Sequence, residues 1–97
     1  MPQVIWTQPA ATSLHEIYSY LYPHNPDAAN RALLTIKSSV NILLNHPRAG
    51  RPTLGSEVEQ RELIIPFGSS GYILLYSIQG DDILIHALRH QKQVGFS

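Results

Sequence analysis

Three observations along this sequence predict an α+β fold, in which a helical hairpin packs on one face of an antiparallel sheet in the order β-α-α-β-β-β. Two early segments carry apolar residues at helical spacing between proline-marked boundaries. Three late segments are strand-length and rich in Ile, Leu, Val and Tyr. The links between those late segments are too short for any connection but a hairpin, which makes them an antiparallel meander.

The elements follow in order. Val4-Ile5-Trp6 favours a strand, and Thr7-Gln8-Pro9 supplies a capping residue and an early proline to start a helix. Ala10, Leu14, Ile17, Tyr18 and Leu21 line one face of that helix, and Pro23 ends it. Asn25-Pro26-Asp27 repeats the start signal, with an acid near the positive end of the helix dipole. The second helix carries the stripe Ala29, Leu33, Ile36, Val40, Leu43 and Leu44, and it ends at His46-Pro47. Helices joined by so short a link are antiparallel neighbours. Pro47-Arg48-Ala49-Gly50-Arg51-Pro52 reads as a surface loop, and residues 58–66, 72–79 and 83–90 read as strands.

Side chains alternate across a strand, so Ile83, Ile85 and Ala87 are expected against the helices. Leu84, His86, Leu88 and His90 are expected on the second face. That face is then available to another macromolecule, with Tyr76 near His86 or His90.

Ninety-seven residues make one domain, residues 1–97. Seven basic and seven acidic residues cancel, so no overall field draws the chain to nucleic acid or anionic lipid. Only 14% of residues are charged against 43% hydrophobic, which favours a bound partner or self-association. The absence of cysteine excludes disulfides and thiolate ligands, and no export signal or membrane span is recognisable, so a cytoplasmic protein is expected.

No cofactor and no metal are expected. His86 and His90 lie roughly 13 Å apart along a strand at about 3.3 Å per residue, too far to share one ion. No serine sits in a nucleophile elbow. The remaining constellation is Arg48, Arg51, Arg61, Arg89 and His90, whose guanidinium groups suit phosphate or carboxylate. Alternatively Arg61 pairs with Glu59 or Glu62, and the loop arginines are only solvated.

Several segments, taken in order, resemble the RelE/ParE toxin family of type II toxin–antitoxin systems. They are Val4-Ile5-Trp6-Thr7, Asn25-Pro26-Asp27-Ala28-Ala29, the P-x-x-G-R loop Pro47-Arg48-Ala49-Gly50-Arg51, and the R-x-L strand Arg61-Glu62-Leu63. The Y-x-x-x-Y strand Tyr72-Ile73-Leu74-Leu75-Tyr76 and the terminal Leu88-Arg89-His90-Gln91-Lys92-Gln93 complete the set. The resemblance covers nearly the whole chain.

It implies a toxin neutralised by a cognate antitoxin, assembled either as a homodimer or as a toxin–antitoxin hetero-oligomer. RelE-like members cut messenger RNA on the ribosome, whereas ParE-like members are associated with inhibition of DNA gyrase. In a ribonuclease, Arg61 and His90 would be the catalytic residues. However, the aromatic residue six places beyond His90 is Phe96, which lacks a hydroxyl, and only Arg48 and Arg51 stand for a lysine-rich loop. The expected branch is therefore ParE-like, acting on gyrase by interference rather than bond-making, with ribosome and messenger RNA as the alternative target. A non-toxic interaction module is the third reading. Arg48, Arg51, Arg61, Tyr76, His86, Arg89 and His90 are the expected target- or antitoxin-binding residues.

Overall fold

The computed structural model describes residues 1–55 and 58–92. In chain order the elements are β1 (Val4–Trp6), α1 (Gln8–Leu21), α2 (Pro26–Ile42), β2 (Arg51–Pro52), β3 (Gln60–Phe67), β4 (Ser70–Gln79) and β5 (Asp82–His90). The sheet has the order β1-β5-β4-β3-β2, and the helical hairpin covers one of its faces. The expected architecture is present, with two additions. The two-residue β2 pairs with the start of β3, and β1 lies parallel to β5, so the sheet is mixed rather than wholly antiparallel.

The helix starts behave as their residues dictate, by two different means. Asn25 caps α2 by accepting a hydrogen bond from the Ala28 amide at 3.1 Å. Thr7 stands at the N-cap of α1, but its hydroxyl donates instead to the Ile85 carbonyl at 2.6 Å. It thereby ties the β1–α1 junction to β5.

The core lies between the hairpin and the near face of the sheet. Ala10, Ala32, Ile36, Val40 and Leu43 of the helical layer meet Ile65, Tyr72, Leu74, Tyr76, Ile83, Ile85 and Leu88. Fully burying a large apolar side chain contributes about 1.5–3 kcal/mol, so this layer carries most of the stabilisation.

The face assignment of β5 needs correction. Tyr76 stands opposite Ile85, whereas Leu75 stands opposite Ala87, so His86 is an extra residue in a β-bulge. The bulge shifts the alternation by one. Leu88 is therefore buried in the core instead of facing outward, and His90, opposite Tyr72, lies on the helix side with it. Ala87 takes the second face. The second face carries Ile64, 43% exposed, with Ile73 and Leu75 beside it.

Candidate functional site

The arginines of the late loop gather at the β2 end of the sheet, where Tyr76 organises them. Its side chain is fully buried, and its hydroxyl donates to the Pro47 carbonyl at 2.6 Å while accepting from the Gly50 amide at 3.0 Å. Burial pushes its pKa up, which keeps the donating hydrogen in place. Gly50 is required at that contact. A Cβ there would stand 2.7 Å from the Glu62 carbonyl oxygen and 2.8 Å from the Tyr76 hydroxyl. Tyr76 is thus bound to this loop; Ile85 stands opposite it, the bulge residue His86 turns its ring to Ser77, and His90 stands four residues along, opposite Tyr72.

Arg61, opposite Tyr76 and on the same face, completes the loop's attachment. Its Nη1 donates to the carbonyls of Gly50 at 2.7 Å and Arg48 at 3.3 Å, and its Nε lies 3.0 Å from Glu59 Oε2. Arg48 meets the other Glu59 oxygen at 2.8 Å, and Arg51 meets Glu62 at 3.3 Å. The hydrogen bond from Arg61, followed by that from Arg48, holds the Glu59 carboxyl below its ordinary pKa. Arg61 therefore faces the loop, with Nη1 on main-chain carbonyls and Nε on Glu59, which is the alternative pairing the sequence offered. Arg48 and Arg51 are exposed, so they remain presentable to a partner.

The other candidates lie elsewhere. His86 Nε2 is 2.7 Å from the hydroxyl of Ser77, a serine with no exposed surface, so the bulge histidine closes over a buried polar group. Register places Arg89 opposite Ile73, and its Nη1 reaches the carbonyl of His90 at 3.4 Å. His90 packs edge-on against the Tyr72 ring, with centroids 5.5 Å apart, and its Nδ1 accepts the Lys92 amide hydrogen at 3.1 Å. The neutral ring then carries its proton on Nε2. Four residues and two strands separate His90 from Arg61 in register, so the two do not form one reaction centre. Phe96 and Gln93 lie outside the described residues.

A groove of about 980 Å³ lies between α1, the β3–β4 turn and the end of β5, with His90 and Arg89 at its margin. Among the described residues, no three His, Asp or Glu side chains are grouped to hold a metal ion, and no helix is long and apolar enough to cross a membrane.

Comparison with known proteins decides the family. The description "ParE toxin of type II toxin-antitoxin system, parDE" matches residues 4–95. The chain belongs to the ParE toxin family. It is 35% identical over 91 residues to the putative toxin Y4kP of Sinorhizobium fredii, covering 93% of this chain and 91% of that one. Toxin RelE3 of Caulobacter vibrioides is 33% identical over 84 residues, covering 87% of this chain and 88% of its own. A solved structure of the chromosomal ParDE toxin–antitoxin system from P. aeruginosa superposes with a TM-score of 0.76 at 25% identity, covering 95% of this chain and 98% of that one. This ParE family member is thus a toxin component of a type II toxin–antitoxin system.

Sequence reasoning quoted Gly50 inside its loop motif but gave it no role, and it missed Ser77 altogether. The loop motif was the available signal for Gly50. Ser77 had none, because its partner is set by the bulge.

Proposed function

We propose that this ParE family toxin arrests growth in the cytoplasm by binding DNA gyrase, and that a cognate antitoxin neutralises it. The toxin interferes with its target by contact and makes no covalent change. The observation that carries this reading is the commitment of Arg61. A strand arginine whose Nη1 donates to two main-chain carbonyls and whose Nε meets a carboxylate supports a loop, which leaves Nη2 alone for a transferring phosphate. His90 supports the same reading, because a neutral ring whose Nδ1 already accepts an amide hydrogen lacks a spare lone pair for a general base.

In this reading Arg61 and Tyr76 act indirectly, by fixing the loop that displays Arg48 and Arg51. His86, Arg89 and His90 belong to the opposite end of the sheet and to contact with the antitoxin. The test is a supercoiling assay with purified gyrase and relaxed plasmid. Toxin added in excess should suppress supercoiling, and added antitoxin should restore it. Unaltered supercoiling at saturating toxin overturns the assignment.

A further inference from the structure

The loop between α2 and β2 is fastened at four main-chain atoms, yet its two arginine side chains take no part in the fastening. Tyr76 bonds it at Pro47 and Gly50, and Arg61 bonds it at Arg48 and Gly50. No Cβ fits at Gly50. The side chains of Arg48 and Arg51 stand 62% and 59% exposed above this anchored backbone. A backbone fixed in advance lowers the ordering cost of whatever binds the guanidinium groups it displays.

Both groups carry resident counter-ions. Glu59 Oε1 lies 2.8 Å from Arg48 Nη2, and Glu62 Oε1 lies 3.3 Å from Arg51 Nη2. Water screens exposed pairs of this kind and they contribute little, so a carboxylate from another molecule can take either place. Such an exchange leaves the anchor intact. Glu59 stays fixed through its second oxygen, 3.0 Å from Arg61 Nε, and the hydrogen bonds from Arg61 and then Arg48 hold its carboxyl below the ordinary pKa.

Apolar residues flank the arginines. Pro52 follows Arg51, Leu54 is 99% exposed, and Val58, next to Glu59, is 47% exposed. Thr53 closes this end of the β2–β3 connection, its amide donating to the Gln60 carbonyl at 3.0 Å. Arginines beside exposed apolar side chains, without lysine, have the composition of a protein-binding patch. A polyanion fits less well. Residues 47–62 hold three arginines and three glutamates, and nucleic-acid affinity grows with the number of phosphates neutralised.

We propose that this loop docks an acidic segment of the target protein, whose carboxylates take Arg48 and Arg51 from Glu59 and Glu62 while an apolar side chain seats on Leu54. Glu62 is then a brake on binding, because it competes for Arg51. The proposal rests on the gyrase reading and deepens it by naming the chemistry of the segment that is held.

Calorimetric titration of purified gyrase with the intact toxin, no DNA being present, tests it. The double variant Arg48→Ala, Arg51→Ala should bind about tenfold more weakly, and so should Leu54→Ala. Neither should melt much earlier, since the anchor runs through main-chain atoms of the loop. Glu62→Gln should bind about threefold more tightly, a gain that misfolding cannot produce. Unchanged binding by the arginine double variant or by Leu54→Ala, or weaker binding by Glu62→Gln, overturns the proposal alone and leaves gyrase held by another surface. So does tight binding of the toxin to a plain DNA duplex that the double variant loses, which would make nucleic acid the occupant. Unaltered toxin that does not bind gyrase overturns the gyrase reading and this proposal with it.

Discussion

Removing one oxygen atom, by Tyr76→Phe, tests whether the late loop is held in the way the structure describes. The ring stays and the packing is unchanged, so the cost comes from the hydroxyl alone. That hydroxyl makes hydrogen bonds of 2.6 Å to Pro47 and 3.0 Å to Gly50, the second fully buried. Each lost partner costs about 1–1.5 kcal/mol when water replaces it poorly, so the pair should cost about 2–3 kcal/mol. For a chain of this size, 1 kcal/mol shifts Tm by about 4–8 °C, which gives a fall of roughly 8–24 °C. Urea denaturation followed by circular dichroism reads the free energy directly, and the m-value should be unchanged because the same surface is buried. A loss below about 0.5 kcal/mol would refute the reasoning, since it would mean that the loop is not anchored through this group.

Three further outcomes follow from the same contacts. Gly50→Ala should destabilise by about 1–3 kcal/mol, measured by the same denaturation, because the added Cβ meets the Glu62 carbonyl and the Tyr76 ring. Thr7→Val should cost about 1 kcal/mol, since the hydroxyl bond to Ile85 fastens the β1–α1 junction, and a thermal melt would show it. The third concerns pH. Burial raises the pKa of Tyr72 and Tyr76, so the folded state holds these protons more tightly than the unfolded chain. Their contribution is fully present below the ordinary tyrosine pKa and is lost as pH rises through the raised values. Ultraviolet titration, with Tyr72→Phe and Tyr76→Phe to assign the signals, should find these two tyrosines ionising above the ordinary tyrosine pKa, and their ionising at or below it would contradict the account.

Much of the fold was legible because its signals are local. Asn25-Pro26-Asp27 caps and opens α2 with residues adjacent in sequence, and the apolar stripe through Ile36 and Val40 needs only helical geometry. The pairing of β1 was not legible, since three residues carry no information about which strand receives them. The bulge was the costliest omission. Buried Ile83, Ile85 and Leu88 are spaced by two and then by three, and that change of spacing was the one trace of it in the sequence. Reading a strict alternation through His86 placed Leu88 and His90 on the wrong face.

The candidate site was legible as a list of residue types but not as an arrangement. Arg48, Arg51 and Arg61 do gather, as the loop and strand motifs suggest, yet Arg61 turns toward the loop because Glu59 and the carbonyls of Arg48 and Gly50 receive it. The pair with Glu59, two residues away, was one of the alternatives the sequence offered, whereas the loop carbonyls lie 11 and 13 residues away and composition cannot reveal that a guanidinium reaches them. The same holds for His90, whose usable nitrogen is decided by a turn amide two residues later.

The central claim is that these cationic residues build and present a surface and do not cut RNA. A translating extract charged with a defined messenger RNA, mapped by primer extension after adding purified toxin, tests it most directly. The account predicts intact message at toxin concentrations that arrest growth. Cleavage within codons that disappears in His90→Ala would contradict it.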